Sequence, residues 1–275
     1  SEGSPFSRSE FQDFNVNINA IPCASGSAID GYIQEAFVYA DLNKNFMFDA
    51  NEPNTTTSQL GQFTFDVPVG ANELIIINGG IDSATGIEMP KNYTLLGLIE
   101  SDKKFIVSPL SSIDYFLPDT FSIPDNLKLN SFDYLNDDPL IQLHSSEASK
   151  VLLTNIKISI ITESISKALN IDDYTKIYES LANQIFYNNI NLENINSKNL
   201  IFESLIELNV ENNLDEIKIL TIAETVTDFL DSITIKEDEV YLKKFEEGIK
   251  MLPINIENYV DNDIAIPEKY NFEDN

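Results

Sequence analysis

A chain of 275 residues with 43% hydrophobic content, 17 Phe and 11 Tyr has the apolar surface for one large or two ordinary domains, which excludes wholesale disorder. Its 45 acidic and 17 basic residues leave a formal net charge of −28, which excludes nucleic acid and anionic lipid as partners, because phosphates require Lys and Arg. No apolar run reaches the roughly 18 residues that cross a bilayer, so no membrane insertion is expected, and the charge suits a protein bathed in divalent cations or salt.

The chain begins at Ser1 without a Met or a basic-apolar signal segment, which reads as a processed or excised form. Residues 1–28 form a polar leader holding one alternating segment, Phe14–Ile21, which reads as a strand of its own domain or one lent to a neighbouring subunit. The single cysteine, Cys23, forbids an intramolecular disulfide and is expected to be a small buried hydrophobe.

Residues 29–108 read as β structure. Tyr32–Ala40, Gly61–Val67, Glu73–Asn78, Tyr93–Glu100 and Lys104–Val107 are short runs rich in Val, Ile, Phe, Tyr and Leu. Turn residues punctuate them at Pro68–Gly70, Gly79–Gly80, Ser83–Gly86 and Ser101–Lys103, and the spacing predicts a small β-sandwich.

Between the first two of these runs lies DLNKNFMFDANE, residues Asp41 to Glu52. Oxygen-bearing side chains fall at loop positions one, three, five, nine and twelve: Asp41, Asn43, Asn45, Asp49 and Glu52. Position seven, Met47, supplies a backbone carbonyl. That is the ligand spacing of an EF-hand-type calcium loop, and an all-oxygen set suits calcium where zinc prefers nitrogen or sulfur. The flanks, IQEAFVYA before and GQFTFDV after, read as extended. The loop is therefore expected between strands, not between the helices of a signalling EF-hand. Phe46 stands at position six, where glycine usually supplies a positive φ; either the loop bends differently or the site is weaker and less regular. Asn in place of Asp at positions three and five lowers the ligand charge and points to modest affinity, of the kind suited to extracellular calcium.

Residues 109–253 change character to helical period. LSSIDYFL opens a helix after Pro109, a Pro- and Asp-containing connection spans 117–144, and Ser145–Leu169, Asp173–Tyr187, Ser197–Leu208, Leu214–Ile233 and Glu237–Leu252 read as helices of a bundle. Asp172 or Asp173 is the expected N-cap of the second of these, and Pro253 the stop of the last. Residues 254–275 read as an acidic, extended tail. The fold class is thus α+β: an N-terminal β-sandwich with an inter-strand calcium loop, then a C-terminal helical bundle.

The block from Gly31 to Ile113 (Gly31-Tyr32, AFVYAD, the DxNxNxxxDxxEP loop, TTTSQLGQFTF, NGGIDSATG and VSPLSSI) resembles the calcium-binding, transthyretin-like modules of bacterial secreted and cell-surface proteins, also described as carboxypeptidase-regulatory-like or B-type repeats. VSPLSS, Val107–Ser112, is similar to the VxPLTT-like segment that precedes helical regions in some of them. The resemblance covers roughly a third of the chain and implies an extracellular location and a structural or adhesive role, with self-association or a surface protein or glycan as partner.

Catalytic signatures are thin, and no enzyme activity is expected. His144 is the only histidine, so no His-based metal triad exists, and there is no phosphate loop or nucleophile elbow. Its position before Ser145-Ser146 reads as a capping or surface one. Asp82 and Thr85 in the Gly79–Gly86 turn read as turn-stabilising groups, and Asp133, Asp137 and Asp138 as solvated loop charges.

Overall fold

In the computed structural model the described residues are 23–267, apart from 84–85, 100–103, 143–144, 211, 234, 237–238 and 241. The chain is a mixed α+β protein. Strands β1 (Ser25–Ala28), β2 (Ile33–Gln34), β3 (Phe37–Asp41), β4 (Asn54–Thr56), β5 (Gln62–Thr64), β6 (Leu74–Asn78), β7 (Ile81–Asp82), β8 (Thr94–Leu98) and β9 (Phe105–Val107) come first. Helices α1 (Pro109–Asp114), α2 (Ile123–Leu127), α3 (Ser146–Leu169), α4 (Tyr174–Tyr187), α5 (Lys198–Leu208), α6 (Glu216–Ser232) and α7 (Leu242–Asn262) follow, with the two-residue strands β10 (Ile235–Lys236) and β11 (Glu239–Val240) before α7.

The larger sheet has the order β4-β3-β6-β8, antiparallel throughout. Its central strand LIIIN is apolar on both faces because both faces are covered. Val38, Ala40, Ile75, Ile77 and Leu95 point into the main core. Tyr39, Leu74, Ile76 and Leu96 point the other way, into a smaller cluster completed by Phe37, Phe46, Leu98, Tyr115 and Phe116. The second sheet, β5-β1-β9, pairs β1 antiparallel to β5 and parallel to β9, and its Phe63, Phe105 and Val107 join the same main core.

The expected run Tyr32–Ala40 is broken in two. Glu35 sits at φ 59°, which turns the backbone between β2 and β3, and β2 pairs instead with β7, inside the segment expected to be only a turn. Gly80 makes that pairing possible. At φ 99° a Cβ there would lie 2.6 Å from Ile33 Cγ2 and 2.8 Å from Ala36 Cβ. The alternating segment Phe14–Ile21 lies outside the described residues. Cys23, expected to be buried, is exposed; it precedes β1, and no element among the described residues covers it.

Helix α1 joins sheets to helices through its serines. Ser108 caps the helix reciprocally with Ser111. Ser111 Oγ donates to the Leu96 carbonyl at 2.6 Å, and Ser112 Oγ accepts from Leu96 N–H at 2.8 Å. Two hydroxyls thus satisfy backbone groups of β8 that would otherwise be a bare sheet edge. Asn155 of α3 accepts the Leu110 N–H through Oδ1 at 2.8 Å, so the first turn of α1 is anchored from the helical side as well.

The remaining helices surround α3, buried along most of its length. Asp173 caps α4 through its side chain, as expected, and Asp215 caps α6. The last helix differs from the expected Glu237–Leu252 at both ends: Glu239–Val240 pairs with Ile235–Lys236 as a strand and α7 begins at Leu242, and Pro253 does not stop it. It lies inside α7, which continues to Asn262, so residues 254–262 are helical where an extended tail was expected. A proline within a helix forfeits one backbone hydrogen bond and costs about 3 kcal/mol. Leu252 and Ile256 on either side are fully buried, and their packing holds the helix together across it.

Candidate metal centre

The Asp41–Glu52 loop leaves the end of β3 and returns into β4, where Ala40 N–H meets the Pro53 carbonyl at 2.9 Å and closes the ladder. The loop lies between strands, as expected, but the strand that follows it is β4, Asn54–Thr56, and not the expected Gly61–Val67 run. Its two terminal carboxylates are the buried ones, Asp41 at 0% and Glu52 at 4% exposure. Burial of a carboxylate demands hydrogen-bond donors or cations, and the loop backbone supplies donors. Asp41 Oδ1 accepts from Asn45 N–H at 3.2 Å and Oδ2 from Phe46 N–H at 2.7 Å. Glu52 Oε1 accepts from Leu42 N–H and Oε2 from Asp49 N–H, both at 2.9 Å. Asp41 therefore closes the first half of the loop on itself, and Glu52 ties the two ends of the loop together.

The exposed side of the loop is wound by amide oxygens. Asn43 Oδ1 accepts from Asn45 N–H at 3.1 Å, and Asn45 Oδ1 accepts from Met47 N–H at 2.8 Å. Asp49 Oδ2 gathers two amide donors, Asn43 Nδ2 at 2.7 Å and Asn45 Nδ2 at 3.2 Å. Among the described residues no lysine or arginine forms an ion pair with Asp41, Asp49 or Glu52. Five of the six expected ligand residues are thus linked into one hydrogen-bonded ring. Met47 joins it through its N–H, its side chain being 64% exposed.

Phe46 resolves the question its identity raised. It adopts φ 61°, the left-handed conformation that position six demands, and Lys44 does the same at φ 57°. The cost for a non-glycine residue is about 1–2 kcal/mol. Its ring packs edge-on to Tyr115 at 6.0 Å and against Phe116 at 6.1 Å, at the end of α1, and its carbonyl accepts from Tyr39 Oη at 3.3 Å. The aromatic contacts contribute on the same scale as the strain, so the bulky residue is held where glycine would be free.

The donor set fits a hard cation in kind: three carboxylates, two amides and a carbonyl, all oxygen. Among the described residues no group of three or more His, Cys, Asp or Glu side chains converges tightly enough to hold a metal by itself, so this loop depends on its amide and backbone oxygens.

The other acidic candidates behave as structural groups. Asp138 accepts from Tyr32 Oη at 3.0 Å and from Leu140 N–H at 2.8 Å, while Asp133 N–H donates to Asp137 Oδ2 at 2.9 Å. Asp82 is buried in β7. Thr85 and His144 lie outside the described residues. Sequence reasoning missed a second cluster where the sheets meet α3: Asp30 accepts from Tyr93 Oη at 2.7 Å and Ser159 Oγ at 2.5 Å. An Asp before Gly reads as an ordinary turn, and nothing local marks it otherwise.

In comparisons with family models, curated proteins and solved structures, nothing matches the chain.

Proposed function

We propose that the chain is an extracellular structural protein whose β region is a calcium-braced, transthyretin-like sandwich and which serves as a subunit of a surface layer, filament or adhesive fibre. The observation that carries the reading is the Asp41–Glu52 ring: two buried carboxylates and a third acid, wound by their own backbone and without an ion-paired lysine or arginine among the described residues, at the offsets a calcium loop requires. Calcium bound there would neutralise the three acids, fix β3 to β4, and stabilise the folded chain by mass action. The net charge of −28 supports a setting rich in divalent cations. No helix among the described residues is long and apolar enough to cross a membrane, which agrees with the absence of membrane insertion in this reading.

A second reading, a monomeric cell-surface module for a peptide or glycan, draws on the groove beside the loop. Phe37, Tyr39, Phe46 and Phe48 line a cleft of about 640 Å³ with Glu35, Asn78 and Lys91 among its polar groups. Aromatic faces next to hydrogen-bonding groups are the furniture of a binding cleft. Light scattering coupled to size exclusion in millimolar calcium separates the two. Calcium-dependent oligomers or filaments support the structural subunit, and a monomer at every calcium concentration supports the binding module.

A further inference from the structure

Asp30 and the residues around it join the sheets to α3. Asp30 and Gly31 make the tight turn between Ile29 and Tyr32, with Gly31 at φ 77°. The turn presses the Asp30 carboxyl into the seam, where it is 7% exposed. Its two donors come from opposite sides. Tyr93 belongs to the segment entering β8, and Ser159 to the middle of α3; the two hydroxyls also lie 3.3 Å from each other. A half-buried acid stands one helical turn on, Glu163 of α3, which accepts from Tyr174 Oη of α4 at 2.7 Å. The Tyr93 and Tyr174 rings meet edge-on at 5.3 Å and complete the wall.

Every described group facing Asp30 is neutral or acidic at short range. Asp82 of β7 and Glu163 of α3 repel its charge, and Tyr178 of α4 adds a buried hydroxyl. Beside the carboxyl opens a cleft of about 200 Å³ between the turn, α3 and α7, walled by Ile156, Ile160 and Pro253. Its other charged groups are Glu88, Lys167 and Lys250, and Lys167 pairs with Glu257 at 3.6 Å. A carboxylate in such a place holds two hydroxyl donors and, among the described residues, no ion-paired cation, which does not offset the loss of its hydration.

We propose that Asp30 is a proton-operated latch between the sheets and the helices: as a neutral acid it sits in the seam with no charge to hydrate, and its ionisation, although it strengthens the two hydroxyl bonds, draws water to the carboxyl, loosens that seam and widens the cleft. Burial, more than the nearby acids, pushes the carboxyl up to about 7. Glu163 is raised as well, again by burial. The sign follows from linkage. The folded chain holds the proton more tightly than the unfolded one, so the stabilisation is fully present below about pH 4 and is lost as pH rises through about 7. The latch is independent of the calcium loop, because Asp30 shares no hydrogen bond with it.

The test is carbon-detected NMR titration of the Asp30 carboxyl, with hydrogen exchange of the full chain at about pH 5.5 and pH 8, in excess EGTA so that calcium plays no part. After correction for intrinsic exchange, amides of α3 near Ser159 are expected to open at least about tenfold more often at the higher pH. Asp30→Asn should remove that pH dependence and melt higher than the parent at pH 8. Should that variant fail to fold, Ser159→Ala must raise the Asp30 midpoint, because the Ser159 hydrogen bond favours the ionised form. His144→Gln must leave the pH dependence in place, since His144 is the only histidine. An Asp30 midpoint in the ordinary range near 4, a pH dependence that survives in Asp30→Asn, or one that vanishes in His144→Gln overturns the proposal.

Discussion

Phe46 N–H donates to Asp41 Oδ2 at 2.7 Å while Phe46 itself stands at φ 61°. The hydrogen bond and the unusual backbone are one feature: only the left-handed turn aims that N–H back at the first acid of the loop. The ring then fills the space between the loop and the end of α1, so the same residue links the metal-ligand geometry to the packing of the outer sheet face. Position six therefore carries a strain and a contact that can be separated by mutation.

Phe46→Gly and Phe46→Ala make that separation. Both lose the contacts with Tyr115 and Phe116, but only alanine keeps the left-handed strain. Both variants should melt below the parent, with Phe46→Ala less stable than Phe46→Gly by about 1 kcal/mol. Calorimetry of the pair checks this, and equal stabilities would mean that the loop relaxes out of the left-handed turn.

The serines of α1 should matter more than their surface chemistry suggests. Ser112→Ala leaves the buried Leu96 N–H without an acceptor, and Ser111→Ala removes the donor to the Leu96 carbonyl. Each is expected to cost about 1–3 kcal/mol, because the backbone group left behind is buried. Chemical denaturation measures the loss, and hydrogen exchange should show the Leu96 amide as the most affected in Ser112→Ala.

Gly80→Ala tests the close approach of β7 to β2. The added Cβ would meet Ile33 and Ala36 below 3.0 Å on a backbone at φ 99°. A loss of about 1–3 kcal/mol from the backbone alone is expected, with steric displacement added. A neutral substitution, read by thermal melting, would show that the β2–β7 pairing yields without cost.

Acid stability has its own determinant. Glu147 accepts from the backbone N–H groups of Asn130, Ser131 and Phe132, and these bonds hold its carboxyl down to about 2. A lowered folded value means stabilisation that is complete above about 4.5 and is lost as pH falls toward about 2. Glu147→Gln should flatten that acid limb in a series of melts and leave the neutral region little changed.

The parts of the fold that were legible in the sequence are those whose cause is local. The spacing of Asp41, Asn43, Asn45, Asp49 and Glu52 marked them as oxygens of one loop, though not the hydrogen bonds that join them, and the helical period placed α3, α4, α5 and α6 within a residue or two. Asp173 announced its cap. What escaped detection is non-local. β4, the polar Asn54–Thr56, is a strand only because β3 offers it an edge, and β7 only because Gly80 lets β2 approach. Pro253 reads as a helix end until the burial of Leu252 and Ile256 carries the helix through it. The Asp30 seam joins residues 63 and 129 positions apart, a distance over which no pattern in one chain speaks.

The central claim is that the Asp41–Glu52 ring takes calcium and that the fold leans on it. Differential scanning calorimetry of the intact chain with excess EDTA, and then in millimolar calcium, tests it most directly. Occupancy at about a hundred times the dissociation constant should add about 2.7 kcal/mol and a clear rise in melting temperature, absent in Asp41→Ala and in Glu52→Ala. The same melting temperature in EDTA and in calcium would contradict the account.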